Sequence, residues 1–179
     1  MVLVDFTAVA QAGDVLQVPG FERLTVRTAA ADSGGELLQL EAVYSPEGRV
    51  PPEHFHPAQE ERFEAVDGAV RVRLDGTDRE LRAGETLVVR PKAAHTFWNP
   101  HAEPARLFWQ IRPALRTEEF FETLAAIGRP PDPLLGALLA REYGDVFRLT
   151  SPPPALQGVV FGALGLVARA AGRKLPRSP

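Results

Sequence analysis

The chain contains no cysteine among its 179 residues. That absence excludes disulfides, thiolate nucleophiles and thiolate ligands, so any bound metal must be held by nitrogen and oxygen. Positive charge is also in short supply: 20 Lys and Arg stand against 23 Asp and Glu, a formal net charge of −3. This removes the basic footprint expected of a nucleic-acid partner, and no helix-turn-helix or zinc-finger spacing appears. Long hydrophobic runs are missing too. The most apolar stretch is uncharged only from Ala155 to Ala168, 14 residues, against roughly 18 or more for a spanning helix. The opening "MVLVDFTAVAQAGD" has no basic leader and carries Asp5 inside its apolar run, which makes a poor signal peptide. The expectation is a cytoplasmic protein with neither a membrane nor a nucleic acid as partner.

What is present is an ordinary globular balance, 45% hydrophobic and 24% charged, in a length that suits one domain with a small extension. From about residue 21 to 112 the chain reads as short strands. "FERLTVRTA", "ELLQLEAVY", "ERFEAV", "AVRVRL", "ETLVVR", "HTFWN" and "ARLFWQIR" are rich in β-branched and aromatic residues, and turn residues such as "SGG", "SPEG" and "DGTD" separate them. Short strands at this spacing predict a sandwich or barrel. Strict alternation puts Val70, Val72 and Leu74 on one face, and Leu107, Trp109 and Ile111 on another core face. For "ELLQLEAVY" either Gln39 and Glu41 or Leu38, Leu40 and Tyr44 face inward; the pattern leaves both open.

After Pro113 the texture becomes helical. "RTEEFFETLAAIG" offers Thr117 as N-cap and Gly128 as terminator, "DPLLGALLAREYGDVF" starts with a capping Asp132 and Pro133, and a third apolar helix follows "TSPPP". These helices are too short and too apolar to stand alone. They are expected to pack on the barrel or on a second copy, a homodimer being the commonest assembly.

Of four histidines, two stand two residues apart in "EHFHPAQEE". In an extended strand His54 and His56 share a face, with roughly 6–7 Å between their α-carbons, so both imidazoles can converge on one ion. Glu61 has the wrong parity for a continuous strand, but Pro57 favours a break that lets the carboxylate return inward. His95 in "HTFWN" offers a third imidazole and shares its face with Phe97 and Asn99. Three neutral imidazoles and a carboxylate suit one divalent transition metal: iron, manganese, nickel, cobalt, copper or zinc. Glu60 and Glu53 read as surface carboxylates. Phe63 and Phe97 have inward parity and serve as core, as pocket wall, or as both. Arg90 and Lys92 are exposed-loop cations that could meet an anionic group.

The stretch from Gly48 to Gly68 resembles the first motif of the cupins: glycine, five residues, His54 and His56 around Phe55, four residues, Glu61, six residues, glycine. "GETLVVRPKAAHTFWN" resembles the second motif, with Gly84, His95 and Asn99 at its offsets. It departs from that motif where Arg90 replaces the usual proline and Lys92 the usual glycine. The resemblance spans residues 36–112. It implies a mainly β double-stranded β-helix, a jelly-roll barrel over residues 1–113, with a helical extension over 114–179. It also implies one metal per chain, held by His54, His56, Glu61 and His95, with Glu61 also able to act as a base. Phe63, Phe97, Asn99 and Arg90 are the candidate substrate contacts. The function expected is a small-molecule metalloenzyme with dioxygenase-like chemistry on an apolar or aromatic substrate. The alternatives are a non-catalytic metal-dependent binding or sensing module and a cupin isomerase or lyase.

Overall fold

The computed structural model describes residues 10–176. The segment read above as a poor leader falls mostly in residues 1–9, which lie outside the described residues, as do residues 177–179. Among the described residues, eleven strands and three α-helices follow one another as β1 (Val15–Leu16), β2 (Phe21–Thr28), β3 (Leu38–Tyr44), β4 (His54–Phe55), β5 (Glu60–Asp67), β6 (Ala69–Leu74), β7 (Thr77–Arg82), β8 (Thr86–Val89), β9 (His95–Trp98), β10 (Ala105–Arg112), α1 (Thr117–Ile127), α2 (Pro133–Glu142), β11 (Arg148–Leu149) and α3 (Pro154–Ala170). Antiparallel pairing arranges the strands in two sheets, β1-β2-β3-β10-β5-β8 and β11-β4-β9-β6-β7. The inner faces of the two sheets make one core.

The alternating patterns place the core as expected. Val70 and Val72 on β6, and Leu107, Trp109 and Ile111 on β10, are buried. On β3 the open choice resolves to Leu38, Leu40, Ala42 and Tyr44 inside. Glu41 is buried on the other face, where Arg27 of β2 donates to its carboxylate through two nitrogens. Gly68 joins β5 to β6 with φ of +69°, and a β-carbon there would lie 2.8 Å from the Pro104 carbonyl oxygen. Only glycine fits both demands.

Several elements differ from the sequence reading. β7 begins inside the turn read at "DGTD" and runs on through residues to which no strand was assigned. It is an edge strand paired with β6 along its whole length, and Leu81 is its one fully buried residue, so it carries no apolar alternation. The second helix stops at Glu142, not at Phe147. Tyr143 instead turns into the structure, where its hydroxyl meets Thr123 Oγ1 at 2.7 Å, and the freed chain forms β11. Thr117 is not the N-cap of α1: Arg116 holds that position, and the Thr117 hydroxyl accepts from Gln59. Asp132 does cap α2, accepting from the Leu135 N–H at 3.0 Å.

The helices meet the barrel through aromatic rings. Trp109 of β10 packs edge-on against Phe121 of α1 with centroids 5.3 Å apart, and Phe120 touches both Tyr143 and Phe147. α3 lies against α2 and leaves Leu156, Val159, Leu166 and Val167 exposed. Among the described residues, no helix is long and apolar enough to cross a membrane.

Candidate metal centre

Strand pairing brings the imidazoles together. β4 and β9 are antiparallel with His54 directly opposite His95, and the two rings stand 4.6 Å apart. His56, two residues beyond His54, adds a ring at 5.2 Å from His54 and 5.3 Å from His95. One ring nitrogen from each of the three lies within 4.8 Å of the other two.

The opposite edge of each ring decides what those nitrogens can do. Nδ1 of His54 faces the Pro52 carbonyl oxygen at 3.1 Å, Nδ1 of His56 the Val146 carbonyl oxygen at 2.7 Å, and Nδ1 of His95 the Ala93 carbonyl oxygen at 3.0 Å. A carbonyl oxygen can only accept, so each Nδ1 carries the hydrogen, and each neutral ring presents Nε2 as a lone pair. Backbone carbonyls in this role fix ring orientation and tautomer for ligation.

Glu61 approaches two of these rings from β5, after the break at Pro57. It is fully buried, whereas Glu60 is exposed. Its Oε1 accepts from the Trp109 indole N–H at 3.1 Å. Its Oε2 stands 2.9 Å from His95 Nε2 and 3.3 Å from His56 Nε2. Neither Glu61 Oε2 nor His56 Nε2 has an aligned hydrogen-bond partner, although both are buried. Ion-pair distance without hydrogen-bond alignment is what results when acceptor atoms converge on a shared point. Such a group of lone pairs is stabilised by a cation between them. The donor set therefore fits a divalent transition ion.

The charge states follow from burial and from these neighbours. Burial, then the His95 and His56 rings, push His54 down to about 3, so it is neutral at ordinary pH even though part of its ring reaches solvent. Burial also works against charge on His56, but the Glu61 carboxylate beside it prevails and its pKa is raised. For Glu61 burial again opposes charge, and the His56 and His95 rings outweigh it, holding the carboxyl well below its usual range. Burial and the Glu61 charge push the Tyr44 phenol far up, so it remains protonated.

Of the remaining candidates, only the two phenylalanines adjoin the imidazoles. Phe63 and Phe97 stack at 4.1 Å, Phe63 stacks on Trp109 at 5.1 Å, and Phe97 meets the edge of His95 at 5.9 Å; together they floor the centre. Asn99 is buried, and its amide is engaged in its own turn, donating to the Glu103 carbonyl and accepting from the His101 N–H. Arg90 is exposed. His101 pairs with Glu80 at 3.1 Å, apart from the centre. Lys92 donates its backbone N–H to the His56 carbonyl at 2.8 Å. Its φ is +71°, the left-handed conformation a glycine would favour. Sequence reasoning placed Trp109 in the core without foreseeing its bond to Glu61, and missed Gln59 and Val146 entirely.

Two facing antiparallel sheets with imidazoles converging inside them define a double-stranded β-helix with a three-histidine centre. Residues 40–111 match the family described as Cupin_2, the cupin domain. A protein named "Polyketide synthase CurC" from Streptomyces cyaneus is 37% identical over 90 residues, covering 50% of this chain and 56% of that protein. "Protein SchB" from Streptomyces halstedii is 35% identical over 111 residues, covering 58% of this chain and 78% of that protein. Among solved structures, an RmlC-like cupin from Shewanella frigidimarina is 19% identical with a TM-score of 0.49, covering 59% of this chain and 87% of that one. The chain belongs to the cupin superfamily.

Proposed function

We propose that this cupin is a small-molecule metalloenzyme carrying one divalent transition ion per chain, with dioxygenase-like chemistry on an apolar or aromatic substrate of polyketide type. The observation that carries this reading is the set of three Nε2 lone pairs, each fixed by a backbone carbonyl on the far side of its ring, with those of His56 and His95 beside a buried Glu61 oxygen that lacks an aligned partner. The substrate class is supported by the aromatic floor of Phe63, Phe97 and Trp109 and by the name of the Streptomyces cyaneus relative.

His54, His56 and His95 would hold the ion through Nε2, with Glu61 Oε2 as fourth donor. When bound, such an ion supplies Lewis acidity and, in its redox-active forms, a centre for oxygen chemistry. The chain's own residues do the rest. Trp109 holds Glu61 Oε1, which leaves Oε2 either to ligate or to take a proton from substrate. Phe63 and Phe97 exclude water from beneath His95. The protonated Tyr44 phenol adds a neutral hydroxyl on the Glu61 side of the barrel.

The test is metal analysis by mass spectrometry of the purified full chain beside His56→Ala and Glu61→Ala, followed by oxygen-uptake assays with polyphenolic polyketides. About one ion per wild-type chain, strongly reduced in both variants, is expected, together with substrate-dependent oxygen uptake. A wild-type chain that stays metal-free after incubation with each candidate ion sinks the metal reading. A loaded chain that consumes no oxygen with any such substrate sinks the dioxygenase reading alone.

A further inference from the structure

α3 buries one face and shows the opposite one to solvent. Phe161 and Ala168 are on the buried side. Arg141 of α2 crosses the helix at Gly162 and Gly165, its Nη1 3.7 and 3.4 Å from where their β-carbons would stand. At 3.6 residues per turn, Leu156, Val159, Val160, Ala163, Leu166 and Val167 fall on the other side, within about 120° of arc. All six are exposed, Val159 by 74% and Leu166 by 67%. No charge interrupts them, since the chain is uncharged from Ala155 to Ala168. Aliphatic side chains held in water as one continuous stripe mark a docking face, unlike single surface residues.

The charge beside this stripe has one sign. From Val146 onward the chain carries five Lys and Arg and no acid, and all 23 Asp and Glu precede it. Arg169, Arg173 and Lys174 gather at the C-terminal end of α3 and are exposed. Arg173 shares the Asp132 carboxylate with Arg129, each at 3.3 Å, so a single acid offsets part of this charge and the end stays positive. α3 is not long and apolar enough to cross a membrane, the ground on which no membrane partner is expected from the sequence. Lying on a membrane is a different matter: an interfacial helix needs an apolar face with cations beside it, not a spanning length. A second copy of the chain fits the stripe less well. One face of a 17-residue helix measures roughly 25 Å by 10–12 Å, about 300 Å², against roughly 800 Å² per partner in a stable interface. A bilayer requires no more than the one face, and anionic headgroups complement the cations.

We propose that the exposed face of α3 docks this protein on an anionic phospholipid surface, with Leu156, Val159, Val160, Leu166 and Val167 at the acyl boundary and Arg169 and Lys174 against the headgroups. The helix lies in the plane of the membrane. Docking of this kind uses none of the residues of the metal centre.

The experiment mixes the full chain with vesicles of phosphatidylcholine, alone or with about 30% phosphatidylserine, and measures the bound fraction by sedimentation. Wild type is compared with Leu166→Glu and with the double variant Arg169→Gln/Lys174→Gln. Wild type is expected to bind the phosphatidylserine vesicles at least about tenfold more tightly than the neutral ones. That binding should weaken as NaCl rises from about 0.1 M to about 0.5 M. Leu166→Glu should lower the affinity at least about tenfold through lost apolar burial, and the double variant about ten- to thirtyfold. Leu166 is 67% exposed, so its substitution should leave the fold intact, with unchanged thermal unfolding as the check. Should it unfold, Val159→Glu, at a position 74% exposed, takes its place. A wild type that stays in the supernatant with both vesicles overturns the proposal. So does equal binding to the two vesicle types, or binding that either variant leaves unchanged. Light scattering in the absence of lipid tests the other occupant: a wild-type dimer that Leu166→Glu converts to monomer assigns this face to a second copy, and that too overturns the proposal.

Discussion

The His56 ring donates from Nδ1 to the carbonyl oxygen of Val146 at 2.7 Å, across 90 positions of chain. Residues after the barrel therefore take part in setting the orientation and tautomer of a predicted ligand. The contact is not isolated. β11 pairs with β4 next to it, placing Leu149 opposite His54 and Arg148 opposite Phe55. The Thr150 N–H donates to the Glu53 carbonyl at 3.1 Å. Phe147 stands edge-on to His54 at 6.2 Å and packs on Phe120 of α1 at 4.8 Å. The segment from Tyr143 to Thr150 thus straps the ligand strand to the helices.

Loosening this strap should weaken metal binding without removing a ligand. Phe147→Ala deletes a half-buried ring that anchors the strap, and should destabilise the fold by about 1–3 kcal/mol. With the Val146 carbonyl less firmly held, Ni²⁺ affinity should fall roughly tenfold, the low end for loss of a group that orients a ligand. Calorimetric titration with Ni²⁺ checks this. Wild-type affinity in a folded Phe147→Ala protein would show that His56 is oriented without the strap.

Acid stability of the metal-free protein should depend on His54. Its folded pKa is lowered to about 3 from 6.5. Between these values the unfolded chain takes up a proton that the folded chain refuses, so stability falls as pH falls. His56 has the opposite shift. Its contribution is fully present below 6.5, where both states are protonated, and is lost as pH rises through its folded value. Glu61 is held below its ordinary 4.5, so its contribution is present above that value and is lost only at lower pH. From pH 6 to 5 the dominant slope is therefore that of His54, at most about 1.4 kcal/mol per pH unit for one proton. Solvent reaching part of its ring reduces that figure. Urea denaturation in EDTA should give a shallower slope for His54→Asn than for wild type; equal slopes would mean that His54 takes its proton in the folded state.

Much of this was readable in the sequence, for reasons that differ by residue. Alternation exposed the core strands because β6 and β10 have one wet and one dry face, and the His-x-His spacing exposed the centre because strand parity is strict. Pro57 explained how Glu61 returns inward. β7 was hidden because an edge strand with Leu81 as its one fully buried residue has no apolar rhythm, and β11 because two residues take their conformation from a distant partner. Val146 was hidden more deeply still, since it acts through a backbone carbonyl that every residue possesses. Gln59 had no signal either: its amide is oriented by carbonyls more than fifty positions away.

The turn before His95 departs from the cupin motif in side chain but not in backbone hand. Lys92 takes the place of the usual glycine and adopts φ of +71°, which costs a residue with a β-carbon about 1–2 kcal/mol. Lys92→Gly removes that strain, while the freer unfolded chain returns roughly 0.4–1 kcal/mol of it. A net stabilisation of up to about 1 kcal/mol is expected, with Ni²⁺ affinity unchanged because the backbone N–H to His56 is retained. A destabilised Lys92→Gly protein in urea denaturation would mean that the lysine side chain contributes more than its conformation costs.

The bond from Trp109 to Glu61 is open to a cleaner measurement, because the ring and the N–H can be separated. Trp109→Phe keeps an aromatic ring in the stack with Phe63 but removes the donor to Glu61 Oε1. A hydrogen bond to a buried carboxylate is worth about 1.5–3 kcal/mol, and among the described residues nothing else donates to Oε1. Part of any loss will come from the smaller ring, and a double-mutant cycle with Glu61→Gln isolates the remainder. If the indole N–H serves the carboxylate charge, the metal-free proteins should show a coupling of at least about 1 kcal/mol between the two positions. If the coupling stays within the roughly 0.5 kcal/mol of independent sites, Trp109 is core alone. Glu61 is then oriented by the imidazoles and by whatever ion they hold.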